Sequence, residues 1–169
     1  MKKKFVISCI IAILLGTLLH FAYDISNNTF IIGLFTPVNE SIWEHIKLIY
    51  IPLLTFAVIS KIFFKYKNIF IASSISFLIP SILLLFIHYT LKKIQIESMF
   101  IDITSYILSM FFAFYIMYIY ANNNFLYKYE KLGITLHIIF LIMFSLLTIY
   151  PPHIQLFLDK ITNSYGFPK

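Results

Sequence analysis

Arginine is missing from this chain. Every basic residue is a lysine, although the forked guanidinium is the usual reader of phosphates and guanine edges. A formal charge of +6 therefore does not point to nucleic acid, and no nucleic-acid partner is expected. Cysteine is nearly missing too. Cys9 stands alone, which excludes an intrachain disulfide and any cysteine-based zinc motif. Charge is scarce: 12% of residues carry it, against roughly 25% in soluble domains. There is no internal repeat and no compact metal motif of the H-E-x-x-H kind.

What fills the chain instead is apolar. The hydrophobic fraction is 60%, above the ~45–50% of soluble proteins, and so small a domain has too much surface to hide it all. The sequence predicts an integral membrane protein. Five stretches approach the roughly 20 apolar residues that a membrane-crossing helix needs: 5–23, 46–64, 69–91, 100–121 and 132–150. The fold class is therefore all-α, a polytopic membrane helix bundle forming a single domain over 1–169, with short interfacial segments. Pro80 lies mid-span and predicts a kink in the third helix. "VISC" at 6–9 resembles a lipoprotein cleavage box, but only Phe5 to Ser8 separate Cys9 from Lys2-Lys3-Lys4. That is short of the apolar segment of roughly 7–15 residues that a signal peptide requires. The first span is expected to be a retained anchor, with Cys9 buried.

Lysines cluster before span one (Lys2, Lys3, Lys4), between spans two and three (Lys61, Lys65, Lys67) and between spans four and five (Lys128, Lys131). The positive-inside rule puts these regions in the cytoplasm, with the N-terminus inside and the C-terminus outside. Lys47, Lys92 and Lys93 run against the rule. With this orientation Asp24, Glu40, Glu44, Glu97, Asp102 and Asp159 fall on the outer side, as do His20, His45, His88 and His153. Only Glu130 is left inside, and His137 sits within the fifth span as a packing residue. Acids contribute little to the rule itself, so their segregation is separate information. The polar chemistry is concentrated at one face.

Three constellations carry that chemistry. In "HFAYD", His20, Tyr23 and Asp24 share a helix face near the membrane exit. In "FTPVNESIWEHIKL", Thr36 is a good N-cap with Pro37 at the first helical position. On the helix expected to start there, Glu40, Glu44 and Lys47 share one face and Ser41 and His45 another. The bland reading makes the acids dipole partners, Trp43 an interface anchor and Lys47 the partner of Glu44. The functional reading rests on the cost of polar groups at membrane depth. The segment before it, "FIIGLF", is too short to span and is expected to be interfacial or re-entrant. The third constellation is remote in sequence: His88 ends span three, Asp102 opens span four, and "PPHIQLFLDK" places His153 and Asp159 after span five.

"HFAYD", "PVNESIWEHIKL" and the terminal "PPHIQLFLDKITNSYG" together resemble an uncharacterised, domain-of-unknown-function family of small multi-spanning bacterial membrane proteins. The resemblance covers nearly the whole chain. It implies a polytopic protein of the bacterial cytoplasmic membrane and brings no activity with it.

From the residues, the first functional reading is a membrane hydrolase, metal-dependent or acid–base, acting on a lipid-linked or membrane-proximal substrate. Its catalytic groups would be Glu40, Glu44 and His45. Tyr23, Asn39, Ser41, Trp43 and Lys47 would bind substrate. His20, Asp24, His88, Asp102 and His153 would be available to a divalent metal such as zinc. The alternative is non-catalytic: a small transporter or a subunit that binds lipid or a protein partner, in which these groups bind or brace. Membrane lipids are partners under either reading.

Overall fold

The computed structural model describes residues 2–95, 98–121 and 123–168; Glu97, expected among the outer acids, lies outside them. The described residues form helices and turns with no strand. Five long helices, α1 (Lys2–Ile25), α3 (Ile42–Phe63), α4 (Ile69–Lys93), α5 (Met99–Tyr120) and α6 (Glu130–Ile149), alternate with one short helix, α2 (Phe30–Gly33), and a 3-10 turn at Asn124–Tyr129 that leads into α6. All five long segments are long and apolar enough to cross a membrane. Their bounds lie close to those read from the apolar runs. The chain is a multi-pass membrane protein.

Burial sorts the helices by role. α3 and α4 are the inner pair, while α1, α5 and α6 bury far less of their surface. α4 packs against α3, α5 and α6, and α1 closes the other side against α3 and α5. The outer helices leave rows of large apolar side chains uncovered, for example Ile7, Ile11, Leu14 and Leu18 on α1, as lipid-facing surface requires. Cys9 is buried as expected.

Rings fill the interior. Tyr50 of α3 meets Phe77 of α4 and Phe140 and Phe144 of α6, with centroids 4.9, 5.8 and 5.1 Å away. Nearer the lysine-rich end, Phe5 packs edge-on against Phe56 and Tyr118. Polar groups here mostly find partners inside the bundle, since an unpaired one is costly in hydrocarbon; the buried hydroxyls of Ser60 and Ser81 have none among the described residues. The Tyr50 hydroxyl donates to the His137 carbonyl at 2.9 Å, and the His137 ring pairs through Nε2 with Ser73 at 2.7 Å. His137 is thus a packing residue between α3, α4 and α6. Gly133 marks a close backbone crossing of α6 on α4: a Cβ there would lie 2.2 Å from the Ile71 backbone nitrogen. At the lysine-rich end Lys61 pairs with Glu130 at 2.8 Å, and the other Glu130 oxygen accepts from the Phe70 and Ile71 amides in the first turn of α4.

Two local expectations are corrected. The helix expected from Pro37 begins at Ile42 instead. Ser41 is its N-cap, with the side chain accepting from the Glu44 amide, while the Thr36 hydroxyl bonds back to the Ile32 carbonyl. Residues 37–40 form turns, so Glu40 leaves the chain before the helix and does not share its face with Glu44. Trp43 is not an interface anchor. It is buried between Phe144 and Phe157, with centroids about 5 Å away, because the chain after α6 folds back over it and the Trp43 amide donates to the Leu156 carbonyl.

Candidate metal centre at the histidine-bearing end

The end of the bundle opposite the lysines is built on a buried ion pair. Glu44 and Lys47, one turn apart on α3, are 2.6 Å apart and only 2% and 1% exposed. The pair is fully partnered. The carboxylate accepts from the Val38 amide at 3.2 Å and from the Thr148 hydroxyl of α6 at 2.7 Å. The ammonium donates to the Gly33 and Thr36 carbonyls at 2.9 and 3.1 Å. These bonds pin the connection 33–38 onto α3 and tie both to the end of α6. All three ammonium protons are used and the carboxylate accepts three bonds, the well-partnered case in which a buried pair is tolerated.

The pinned connection then sets Asn39 and Glu40. Asn39 accepts from the Ser41 amide and donates to the Gly166 carbonyl at 2.7 Å, which fastens the C-terminal segment to the site. Gly166 has φ +67, and a Cβ there would crowd the Thr148 carbonyl at 2.7 Å, so glycine is required at that turn. Past the turn, Phe167 packs on Tyr23 and Phe30.

Glu40 projects between two imidazoles. Its Oε1 lies 3.7 Å from His20 Nε2 on α1, and its Oε2 lies 3.3 Å from His45 Nε2 on α3. The two rings are 5.2 Å apart and tilted by 34°. One ligand atom from each of the three residues falls within 4.8 Å of the others. Tetrahedral zinc with bonds of about 2.1 Å would bring its ligand atoms to about 3.4 Å of one another. The Glu40–His45 separation already matches, and His20 needs a small inward shift. His45 Nδ1 is 2.9 Å from the Ser41 carbonyl, so a neutral ring donates there from Nδ1 and leaves Nε2 available to a metal. The protonated ring would donate to both Ser41 and Glu40 and form an ion pair instead. The hydrogen bond from His45 is the main influence holding the Glu40 carboxyl below the usual carboxylate range.

His20 and Glu40 line a cleft of about 200 Å³, together with Asp24, Asn39, Asp159 and Thr162. Asp159 is tied down, accepting from the Ile161 amide and the Thr162 hydroxyl. Asp24 is exposed, makes no side-chain hydrogen bond among the described residues, and is close enough for its charge to act on His20.

The residues singled out from sequence thus separate into groups. His20, Glu40 and His45 converge, and Asp24 and Asn39 line the same cleft. Glu44, Lys47 and Ser41 lie beneath it and hold its wall. Tyr23 and Trp43 are buried in packing. His88 and Asp102 meet across α4 and α5 at 3.8 Å, and His153 stacks on Tyr165 at 4.5 Å. None of these last three contributes to the trio. Thr148 was not read as part of the site, and a lone threonine at the end of an apolar span gives no signal that it binds a carboxylate.

Residues 1–167 match a family described as "Family of unknown function (DUF6512)". No curated protein and no solved structure matches the chain.

Proposed function

We propose a function from the site alone, because this chain belongs to a family of unknown function (DUF6512): a membrane-embedded, metal-dependent hydrolase whose ion is held by His20, Glu40 and His45. The observation that carries the reading is the approach of two imidazoles and one carboxylate within 4.8 Å, two of which, His20 and Glu40, line a cleft. Two histidines and a carboxylate are a catalytic zinc set, in which the protein leaves a coordination position open. A divalent ion there would supply Lewis acidity and an acidified water. The chain's own groups would do the rest. Asp24, the uncommitted carboxylate of the cleft, would take the proton from the attacking water and return it to the leaving group. Asn39 and Thr162 offer hydrogen bonds for orientation. In the orientation that the positive-inside rule favours, this end would face away from the cytoplasm and the substrate would be lipid-linked or membrane-proximal.

A second reading has its own support. Both His45 nitrogens face acceptors, Ser41 O and Glu40, so a metal-free imidazolium–carboxylate pair also satisfies the geometry and would serve a binding role.

Metal content of detergent-purified protein separates the two. Near-stoichiometric zinc or another divalent ion, lost in Glu40→Gln and His45→Ala while both variants stay folded, would support the metal site and justify a screen of ester and amide substrates. Folded wild-type protein that stays metal-free after supplementation would sink it and leave the ion pair.

A further inference from the structure

The opposite end of the bundle holds a second cleft, of about 380 Å³, lined by Phe64, Lys65, Tyr66, Lys67, Asn124 and Tyr127 among others. Its electrostatics are one-sided. The acid of this end, Glu130, is consumed by Lys61 and two backbone amides. Other lysines here have partners: Lys4 lies over the Phe64 ring, and Lys128 over Phe125 and Tyr129. Lys65 and Lys67 have neither an acid nor a ring among the described residues, and both line the cleft. The remaining polar side chains are uncharged, and each is able to donate. Burial raises the Tyr66 phenol above its ordinary value, which keeps its proton available, and Asn124 and Tyr127 add an amide and a second hydroxyl.

The backbone at Lys65 sets the direction of the turn. Its φ is +53, in the left-handed region that glycine and asparagine adopt readily and lysine does not. Asn27, Asn28, Gln95 and Asn163 occupy that region elsewhere in the chain. Lys65 follows the C-cap Phe64 of α3, where a left-handed residue commonly closes a helix, and the turn it makes directs the chain past the cleft. Beside the cleft, Ile62, Phe63 and Phe125 are large, apolar and exposed, as surface next to acyl chains would be.

We propose that this cleft binds the phosphodiester headgroup of an anionic phospholipid, with Lys65 and Lys67 on the phosphate and the acyl chains against Ile62 and Phe63. Basic recesses between membrane helices take anionic headgroups in this way. The proposal is independent of the hydrolase reading and concerns the other end of the molecule.

The test is native mass spectrometry of the full chain released from nanodiscs of phosphatidylglycerol and phosphatidylcholine in equal parts. Wild-type protein should retain phosphatidylglycerol over phosphatidylcholine by roughly thirtyfold, since two lysines near an anionic surface contribute about 1 kcal/mol each and about 1.4 kcal/mol corresponds to tenfold. Lys65→Gln/Lys67→Gln should abolish the preference, and Lys65→Arg/Lys67→Arg should keep it. Lys65→Gly, which suits the local φ, removes the side chain without disturbing the turn and should weaken retention. Equal retention by wild type and the glutamine pair would overturn the proposal. So would an equal loss in Lys128→Gln/Lys131→Gln, which would mean diffuse surface charge. Displacement of the lipid by millimolar inorganic phosphate would assign the cleft to a soluble anion and refute the lipid as occupant.

Discussion

Replacing Lys47 with methionine removes one charge from the most enclosed polar unit of the protein while keeping the length of the side chain. The ammonium of Lys47 serves three acceptors: Glu44 Oε2, Gly33 O and Thr36 O. Without it, Glu44 retains only the Val38 amide and the Thr148 hydroxyl, and two carbonyls lose a donor in a region that water does not reach. Breaking a buried pair by removing one partner costs roughly 3–5 kcal/mol. Each unsatisfied carbonyl is worth about 1–3 kcal/mol, in part the same penalty counted again. About 4 kcal/mol is the expected loss, which for a chain of this length lowers the unfolding temperature by roughly 8–16 °C. Glu44→Gln/Lys47→Met removes both charges and should recover at least half of the deficit, because no uncompensated charge is left buried. Cys9 provides the assay. It is the lone cysteine and is 2% exposed, so a thiol-reactive dye in detergent reports unfolding at a single position. If Lys47→Met melted within ~1 kcal/mol of wild type, or the double variant were no better than the single ones, the pair would not be the buried unit described.

Further outcomes follow from the same geometry. Asp24→Asn should leave metal content unchanged while abolishing hydrolysis of whatever substrate a screen identifies; loss of metal would make Asp24 a ligand instead. In metal-free protein, the Glu40 carboxyl lies below the ordinary value of 4.5, so its stabilising contribution is fully present above that value and is lost as pH falls through the lower folded one. Glu40→Gln should therefore flatten the acid side of a stability–pH profile, and an unchanged acid side would refute the assignment. Gly133→Val should destabilise by at least about 1–3 kcal/mol, because the added atoms meet the α4 backbone at Ile71 rather than a side chain that can move; a melt equal to wild type would mean the α4–α6 crossing is looser than described.

The spans were legible because a run of about 20 apolar residues has few other uses. The turn that makes the site was not. Thr36-Pro37 has the composition of a helix start, and on an ideal helix Glu40 would ride with Glu44. What overrides that local preference is tertiary. Glu44 lies buried under the connection and draws in the Val38 amide, and Lys47 draws in Gly33 and Thr36, so the chain turns through 37–40 before Ser41 caps the helix. Glu40 and His45 are five residues apart, a spacing that no periodic template highlights. His20 and Asp24 do have the helical spacing, yet the partner that reaches His20 Nε2 comes from another segment. The His88–Asp102 contact likewise depends on the pairing of α4 with α5.

The ring-filled centre of the bundle has a consequence for traffic. Between the cleft at His20 and Glu40 and the cleft at Lys65 and Lys67 stand Tyr50, Phe77, Phe140 and Phe144, packed on one another, with His137 sealed among them by Ser73 and Tyr50. Each cleft is therefore blind. Whatever enters the histidine-bearing one must leave by the mouth through which it came. Any proton or ion it took up would come from the compartment on that side, so changes in acidity or metal supply across the membrane would pass unregistered there.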